Sequence, residues 1–298
     1  DRAAARPPLL RRADARGERR AVRVAYRRLG ADSVGFECAE RDAALPLVVD
    51  PGLVWSTYLG GIPFLGGSGA DLCFGLALGP DGHVTAVGQG SWLEFPTTPG
   101  AYQHPGGTNG TDAFVARFDG STGALIYSSV IGGSIGHKAG FAVAVGGGGE
   151  AVAVGRTQSS TFPTTPGAFD PKKDSINESA FVLKLSADGS SLLYSTILEG
   201  TGGGGSRATS VAVAASGSAV VGGMAFLADF PTTPGCFSPA SNGSADVFVT
   251  RLDPTGRFLE WSTYIGGAGR EKALGVALDE AENVTLIGYT PSKDFPTT

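Results

Sequence analysis

Residues 55–61 read Trp-Ser-Thr-Tyr-Leu-Gly-Gly, and this string decides the fold because it recurs along the chain. It returns as Tyr-Ser-Ser-Val-Ile-Gly-Gly at 127–133, as Tyr-Ser-Thr-Ile-Leu-Glu-Gly at 194–200 and as Trp-Ser-Thr-Tyr-Ile-Gly-Gly at 261–267. The copies therefore start 72, 67 and 67 residues apart. A repeat of this length indicates a tandem array of one supersecondary unit.

A second string, Phe-Pro-Thr-Thr-Pro-Gly at 95–100, recurs with the same period. Its copies lie at 162–167 and 230–235, and a truncated copy stands at 295–298. Proline cannot donate a ladder hydrogen bond, so the string predicts a loop and not a central strand. We expect the repeated Phe to hold this loop against the sheet.

The rest of each unit predicts four short antiparallel strands. In the first unit, apolar runs at 74–78 and 84–88 flank Pro80-Asp81-Gly82. Asp-Gly is a strong hairpin signal because glycine tolerates a positive φ. A second hairpin is predicted from Ala113 to Ile131, with a third recurrent string, Ala-Phe-Val-Ala-Arg-Phe, as its first strand. The first-hairpin turns of the later units are predicted at 146–149, 216–217 and 282–283.

Such units in series indicate an all-β chain of β-propeller blades, each a four-stranded antiparallel sheet. Three complete units are predicted at about 72–133, 139–200 and 205–267, with half of a fourth, so we expect an incomplete ring. A solenoid of stacked sheets is the competing architecture, although parallel β-helix coils are much shorter. We expect residues 55–61 to be the last strand of an earlier sheet. Its candidate partners are 22–26, 34–37 and 47–49.

Charge is distributed unevenly along the chain, whose net charge is −5. Residues 1–50 hold eleven Arg against eight acids (+3), and residues 51–298 hold twelve Lys and Arg against twenty acids (−8). We predict an Arg-rich flexible segment at 1–19, the end of an N-terminal β domain at 20–52 and tandem repeats at 53–298. The acidic repeats argue against a nucleic-acid groove, and no apolar run of about 18 to 20 residues predicts a transmembrane helix. Because the chain starts at Asp without a signal peptide and ends inside a repeated string, we expect a fragment of a longer protein.

These strings closely resemble the SBBP repeat, a β-propeller repeat of bacteria. The resemblance covers roughly residues 53–298, and residues 20–52 look like the end of the domain of unknown function that often precedes these repeats. It implies a large secreted or cell-surface bacterial protein and offers no catalytic residues. The departures from the pattern are Gly146 to Gly149 at a turn and Glu199 in place of a glycine. The resemblance is carried by 55–61, Asp81-Gly82, Val87-Gly88, 112–115, 229–233 and 294–298.

Residues with catalytic chemistry are sparse and scattered. His83, His104 and His137 occupy different repeat positions, so convergence on a metal or a catalytic triad is not expected. The recurrent serines lie in a predicted strand without a nucleophile-elbow motif and are expected to hydrogen-bond across strands. We predict no catalytic, cofactor-binding or metal-binding residue and no cofactor. The recurrent serines are Ser56, Ser128, Ser195 and Ser262.

Acidic residues recur at two places in the unit, before the third strand and before the first. A Ca²⁺ site needs several oxygen ligands that converge within one loop. No Asp-x-Asp-x-Asp pattern occurs, so we expect the acids to cap turns. The first set is Asp112 and Asp246 with Ser179 between them; the second is Asp71 and Glu271, with His137 and Arg207 in the other copies.

Glycine-rich runs and cysteines add little chemistry. The runs at 146–149 and 202–205 lack a following helix or a Gly-Lys-Ser/Thr sequence, so turns are favoured over phosphate cradles. The three cysteines show no metal-binding spacing, and no disulfide is predicted. Cys236 is predicted to be a small core residue because its equivalents are alanines. The other two cysteines are Cys38 and Cys73, and the equivalent alanines are Ala101 and Ala168.

Our leading functional hypothesis is a non-enzymatic binding or display module at the cell surface or outside the cell. Its partner, a protein or a glycan, would contact the loops that vary between copies, 157–161 and 172–178. A propeller enzyme, a lyase or hydrolase with a channel site, needs one unit with polar residues that its siblings lack. The best such residues are His137, Lys138 and Arg207. A purely structural spacer is the third hypothesis, and fold analogy alone does not decide among them.

Overall fold

The computed structural model divides into two units between Ser56 and Thr57. Before residue 50 it describes the backbone of five strands only. The other described residues are 53–61, 71–91, 95–104, 110–174, 177–200, 205–226 and 228–297.

The first unit contains two small antiparallel sheets. Strand β1 pairs with both β2 and β5, and β3 pairs with β4. Residues 53–61 form no strand, so the prediction that 55–61 closes an earlier sheet is wrong. In the later copies this string pairs with a third strand that precedes it. Of the segments proposed as partners here, β3 and β4 pair with each other and β5 pairs with β1. The five strands are β1 (Leu10–Ala13), β2 (Arg19–Val22), β3 (Val24–Arg28), β4 (Val34–Cys38) and β5 (Leu47–Val49).

The second unit consists of three four-stranded antiparallel sheets and one two-stranded sheet, each in sequence order. The all-β prediction is confirmed, and the three complete sheets fall where the units were predicted. The first sheet is β6 (Leu72–Leu78), β7 (Val84–Ser91), β8 (Thr111–Phe118) and β9 (Leu125–Ile131). The second is β10 (Lys138–Val145), β11 (Ala151–Thr157), β12 (Ser179–Leu185) and β13 (Leu192–Leu198). The third is β14 (Ser206–Val213), β15 (Ala219–Ala225), β16 (Asp246–Leu252) and β17 (Leu259–Ile265), and the fourth is β18 (Lys272–Leu278) with β19 (Val284–Tyr289).

Each sheet carries a β-bulge at the same place in its first strand, which fixes the equivalence of the copies. The register makes Lys138 and Ser206 the counterparts of Asp71 and Glu271. The sequence alignment that placed His137 and Arg207 there is therefore wrong by one residue. The extra residues of the bulges are Phe74, Phe141, Thr209 and Leu274.

The first strand of each sheet packs across the preceding sheet. Strand β10 lies against β6, β7 and β8, and β14 and β18 repeat the arrangement one and two sheets later. Apolar side chains fill the layers between the sheets, which is the packing of propeller blades. Leu76 and Leu78 of β6 and Ile287 and Tyr289 of β19 remain exposed. The unclosed series fits an incomplete ring.

The Phe of each complete Phe-Pro-Thr-Thr-Pro-Gly string is buried on its own sheet, as predicted, whereas Phe295 of the truncated string is half-buried. The ring of Phe162 stacks on that of Phe181 in β12, with centroids 4.6 Å apart. The same loop is fastened to the fourth strand, because Ser195 donates its N–H to Oγ1 of Thr165 at 3.1 Å. The equivalent ring pairs are Phe95–Phe114 and Phe230–Phe248, and the equivalent clamps are Ser128–Thr98 and Ser262–Thr233.

Candidate functional site

The connections of each four-stranded sheet lie at two opposite ends. Antiparallel strands in sequence order alternate in direction, so both tight hairpin turns lie at one end, which we call the hairpin end. The long connection between the second and third strands and the link to the next sheet lie at the other, which we call the loop end. The variable loops 157–161 and 172–178 therefore share the loop end.

A pocket of about 580 Å³ opens at the loop end, where the second sheet meets the third. Gln158 comes from the 157–161 loop, and Asn177 and Glu178 come from the 172–178 loop. The structure thus joins the two loops that comparison of the copies singled out; two residues of the second loop lie outside the described part of the chain. The lining is completed by Ile135, Gly136, Gly205 and Phe226.

Glu178 lines the pocket and holds two arginines. Its Oε2 lies 2.5 Å from Nη1 of Arg156, and its Oε1 accepts a hydrogen bond from Nε of Arg207. The carboxylate is buried, and a buried charge is retained only with such partners. Because Arg156 stands in β11 and Arg207 in β14, the cluster ties the second sheet to the third.

The three charged residues Arg156, Glu178 and Arg207 occur together at the interface of the second and third sheets. At the interface of the first and second sheets none of the three equivalent positions holds an ion, and at the interface of the third and fourth sheets one of them holds a lysine. The cluster therefore meets the requirement that one unit carry polar residues that its siblings lack. In place of Arg156 stand Gln89, Met224 and Tyr289; in place of Glu178, Thr111 and Ala245; and in place of Arg207, Leu72, Ala139 and Lys272.

Phe226 stands at the pocket beside two arginines. The Cζ atoms of Arg207 and Arg270 lie 5.6 and 5.1 Å from the centroid of its ring. Both distances are within the range of cation–π attraction. In the part of the chain that the structure describes, the side chain of Arg270 makes no hydrogen bond and no ion pair. Its charge is therefore available to a ligand.

Lys138 holds the loop that forms one wall of the pocket. Its Nζ lies 2.9 Å from Oδ1 of Asp112 and donates to the carbonyl oxygens of Gly133 and Gly136 at 3.1 and 3.0 Å. The lysine is buried, so it acts on this loop and does not reach the pocket itself. Of the three residues that sequence analysis singled out, Arg207 bonds to one lining residue, Glu178, and its guanidinium lies beside another, Phe226.

The three histidines lie apart. His137 donates its backbone N–H to Oε1 of Gln158 at 3.0 Å and so positions a pocket residue. His83 lies at the hairpin end, with Nδ1 3.8 Å from Oδ2 of Asp119, and His104 forms a bridge with the edge of β9. Among the described residues, no group of three or more His, Cys, Asp and Glu side chains could hold a metal ion.

The recurrent acids take different partners in different copies. Asp246 accepts the N–H of Asn242, four residues before it, at 2.5 Å and caps this turn as predicted. Asp71 accepts the N–H of Gly61 at 2.7 Å, and the segment between these two residues lies outside the described part of the chain. Asp112 forms the buried ion pair with Lys138, which the turn-capping prediction did not include. The recurrent serines of the fourth strands are buried. The predicted cross-strand bond is found between Ser262 and Thr250 at 2.8 Å, but Oγ of Ser128 and Oγ of Ser195 make no hydrogen bond with another described residue, so the prediction is wrong for these two.

Asp246 and Glu271 form a buried pair of carboxyl groups between the third and fourth sheets. Burial raises the pKa of Asp246, and the neighbouring Glu271 raises it further. Burial also opposes ionisation of Glu271, but the hydroxyl groups of Ser292 and Thr290 hold the pKa of Glu271 below its usual value. Since both side chains are fully buried, the pair offers no exposed acid or base.

Sequence reasoning missed a set of basic residues at the hairpin end. In each third strand a cation reaches the first hairpin turn of the next sheet. Nη1 of Arg117 donates to the carbonyl oxygen of Gly149, and Nζ of Lys184 donates to that of Gly217 at 3.3 Å. The signal was present, because every copy of the third string carries Arg or Lys at its fifth place. The third member is Arg251, whose Nη2 lies 2.6 Å from Oε2 of Glu282.

The two cysteines whose side chains the structure describes, Cys73 and Cys236, do not form a disulfide. Cys73 is exposed, and Cys236 is half-buried in the long connection of the third sheet. The prediction of Cys236 as a core residue is therefore wrong. Its equivalent Ala168 lies in a loop that bonds to the second hairpin of the next sheet, through the N–H of Phe169 and the oxygen of Gly256. The fourth sheet has two strands and no such hairpin.

Comparison with known proteins identifies no family for the chain, and the fold rests on the sheets described above. No family model matches the chain, and no curated protein matches it. Among solved structures it is similar to the crystal structure of BamB from Moraxella catarrhalis, with 9% identity and a TM-score of 0.34 over 74% of this chain and 44% of that one. The chain thus spans less than half of that structure. A search of the described residues finds no helix with the length and hydropathy to cross a membrane.

Proposed function

We propose that the repeats form a non-enzymatic binding module of a bacterial extracellular or cell-surface protein of the SBBP repeat family. One observation carries the proposal: the two loops that vary between copies, 157–161 and 172–178, both contribute to the pocket between the second and third sheets. The residues that the copies share form the strands, turns and Phe contacts. A constant scaffold with variation at one surface is the arrangement that recognition requires.

The distribution of reactive groups favours binding over catalysis. The buried acids and the recurrent serines are enclosed between strands, and the histidines lie apart. Among the described residues that line the pocket, Glu178 is the charged one, and it is paired with Arg156 and Arg207. Arginine is always protonated and serves as an anion-binding group more readily than as an acid or base. The spacer hypothesis gives no reason for an ion cluster confined to one interface.

The cellular location and the family rest on the sequence resemblance at 53–298. Protease treatment of intact producing cells tests the location, because a surface protein is cleaved while the membrane remains closed. Resistance in intact cells and cleavage after lysis would overturn this part of the proposal.

The binding role is tested by giving the pocket the residues of the first copy. The variant Arg156→Gln/Gln158→Ser/Glu178→Thr takes the side chains of Gln89, Ser91 and Thr111. The matched control, Lys184→Arg, takes the side chain of the other two copies at the hairpin end. Both variants and the parent chain are screened against arrays of glycans and of bacterial and host surface proteins.

We expect the parent chain and the control to bind the same ligand and the pocket variant to lose it. Circular dichroism and thermal unfolding establish that the pocket variant is folded. Reproducible binding that survives in the pocket variant would place recognition elsewhere, and the absence of any ligand for a folded parent chain would favour the spacer.

A further inference from the structure

We infer that the pocket binds an acidic oligosaccharide, a chain that carries uronic acid carboxylates, with Arg270 and Arg207 as its anion-binding groups. This inference rests on the proposed binding function and names its ligand class.

The charge of the pocket opposes that of its surroundings. Residues 51–298 carry a net charge of −8, and three of their six arginines contact residues that line the pocket, two at Glu178 and two at Phe226 with Arg207 at both. The carboxylate of Glu178 forms an ion pair with Nη1 of Arg156 and accepts a hydrogen bond from Nε of Arg207. The terminal nitrogens of Arg207 and the whole guanidinium of Arg270 make no hydrogen bond with other described residues. An acidic module that gathers unsatisfied cations at one opening is suited to an anion.

The form of the cations favours a carboxylate. A guanidinium presents N–H groups in a planar fork that matches the two oxygens of a carboxylate. Arg207 and Arg270 both lie beside the ring of Phe226, at 5.6 and 5.1 Å. The ring restricts where the two guanidinium groups can lie, and restricted groups lose less entropy when a ligand binds.

The remaining lining favours a sugar over a peptide. Gln158 and Asn177 supply amides, Gly136 and Gly205 expose backbone, and Ile135 adds an apolar patch. Amides and bare backbone suit hydroxyl groups, and an apolar patch suits the face of a sugar ring. A volume of about 580 Å³ falls within the roughly 300–1,000 Å³ of small-ligand pockets, whereas an acidic peptide would need an extended groove.

The experiment is calorimetric titration of the 298-residue chain with a short oligogalacturonate. The matched ligand is the same oligosaccharide with its carboxylates methyl-esterified, which removes the charge and keeps the ring and its hydroxyl groups. A polyglutamate of similar charge represents acidic peptides. The variant is Arg270→Gln, and its control is Arg257→Gln, an exposed arginine of the third sheet at the hairpin end.

We expect the acid form to bind and the ester to bind at least ~10-fold more weakly, as loss of a charge-assisted contact implies. Arg270→Gln should weaken binding by about the same factor, and Arg257→Gln by less than ~2-fold, because an exposed charge far from a site is screened. Equal binding of acid and ester would overturn the acidic ligand while leaving the pocket as a binding site. Tighter binding of polyglutamate would overturn the saccharide. If no oligogalacturonate binds a folded chain, the inference fails, and the array screen with the pocket variant decides the binding function separately.

Discussion

Lys138 and Asp112 form an ion pair across the interface of the first and second sheets, with 2.9 Å between Nζ and Oδ1 and side chains that are 1% and 2% exposed. At the next interface, Ser206 and Ser179 take these two positions, and at the third, Glu271 and Asp246 do. The same place thus holds an ion pair at the first interface, two hydroxyl groups at the second and two carboxyl groups at the third. The packing of the sheets does not depend on one polar chemistry.

Lys138→Ser should strongly destabilise the chain. The substitution leaves the carboxylate of Asp112 buried without its cation, which costs ~3–5 kcal/mol of unfolding free energy. The double variant Lys138→Ser/Asp112→Ser recreates the serine pair of the next interface and should recover most of the loss. Urea unfolding followed by fluorescence measures both. A double variant no more stable than the single one would contradict this account of the interface.

Asp246→Asn should raise stability at neutral pH. Burial raises the pKa of Asp246 above its ordinary value of 3.8, so in the range between the two values the folded state holds more protons than the unfolded state. Stability from this group therefore falls as pH rises through that range. Glu271, whose pKa is lowered, acts in the opposite direction and contributes stability that is lost in acid. An amide at 246 cannot ionise, and its NH₂ group can donate to Glu271.

Thermal unfolding of Asp246→Asn and the parent chain between pH 4 and pH 8 provides the measurement, and the melting temperatures should diverge as pH rises. The control is Asp188→Asn, an exposed carboxylate whose pKa is lowered to about 2 by the hydroxyl of Ser186 and by Ser190. The melting temperature of that variant should fall as pH rises, to the same extent as that of the parent chain. Parallel pH profiles for Asp246→Asn and the parent would show that Asp246 is not the group responsible.

Phe162→Ala should remove the contact that holds the long connection on the second sheet. Phe162 is buried and its ring stacks on that of Phe181, so truncation should cost ~3–5 kcal/mol. Phe237, at the far end of the equivalent loop, is 69% exposed, and Phe237→Ala should change stability by less than ~0.5 kcal/mol. Limited proteolysis should cut the loop around 162–167 faster in the first variant. Equal protease resistance of both variants would contradict this role of Phe162.

Gly155→Ala should disrupt the pairing of β10 with β11. A Cβ at this position would lie 1.9 Å from the carbonyl oxygen of Ala139, and a backbone atom cannot move aside without opening the ladder. We expect a loss of at least ~1–3 kcal/mol, typical of overpacking. Gly147→Ala is the matched control, because nothing lies within 4 Å of its added Cβ. Chemical denaturation of the two variants should separate them, and equal midpoints would refute the steric argument.

The fold could be predicted from the sequence where the signals are local and periodic. Hairpin turns such as Asp81-Gly82 and the prolines of the long connection restrict the backbone within a few residues, and their recurrence identified each unit. The string at 55–61 shows the limit of this reasoning. It has the pattern of a fourth strand but forms none, because a strand forms only against a partner whose N–H and C=O groups it can pair.

The copies could be aligned by sequence only to within one residue at the first strands. The links that precede these strands differ in length between the copies, so His137 and Arg207 were assigned the places that Lys138 and Ser206 occupy. A bulge is stabilised by the neighbouring sheet as well as by its own strand. Its position is therefore weakly encoded in the local sequence.

The sequence by itself determined the repeat, the four strands of each unit, the turns between them and the Phe that secures each long connection. All of these depend on interactions between residues close in the chain, repeated often enough to be recognised. Tertiary structure alone decided that Arg156 and Arg207 meet at Glu178 and that Arg207 and Arg270 meet beside Phe226. These residues belong to different strands and sheets, and contacts over such sequence separations leave no periodic pattern in a single chain. The scaffold could therefore be predicted from the sequence, whereas the pocket could be identified only from the packing of the sheets in the tertiary structure.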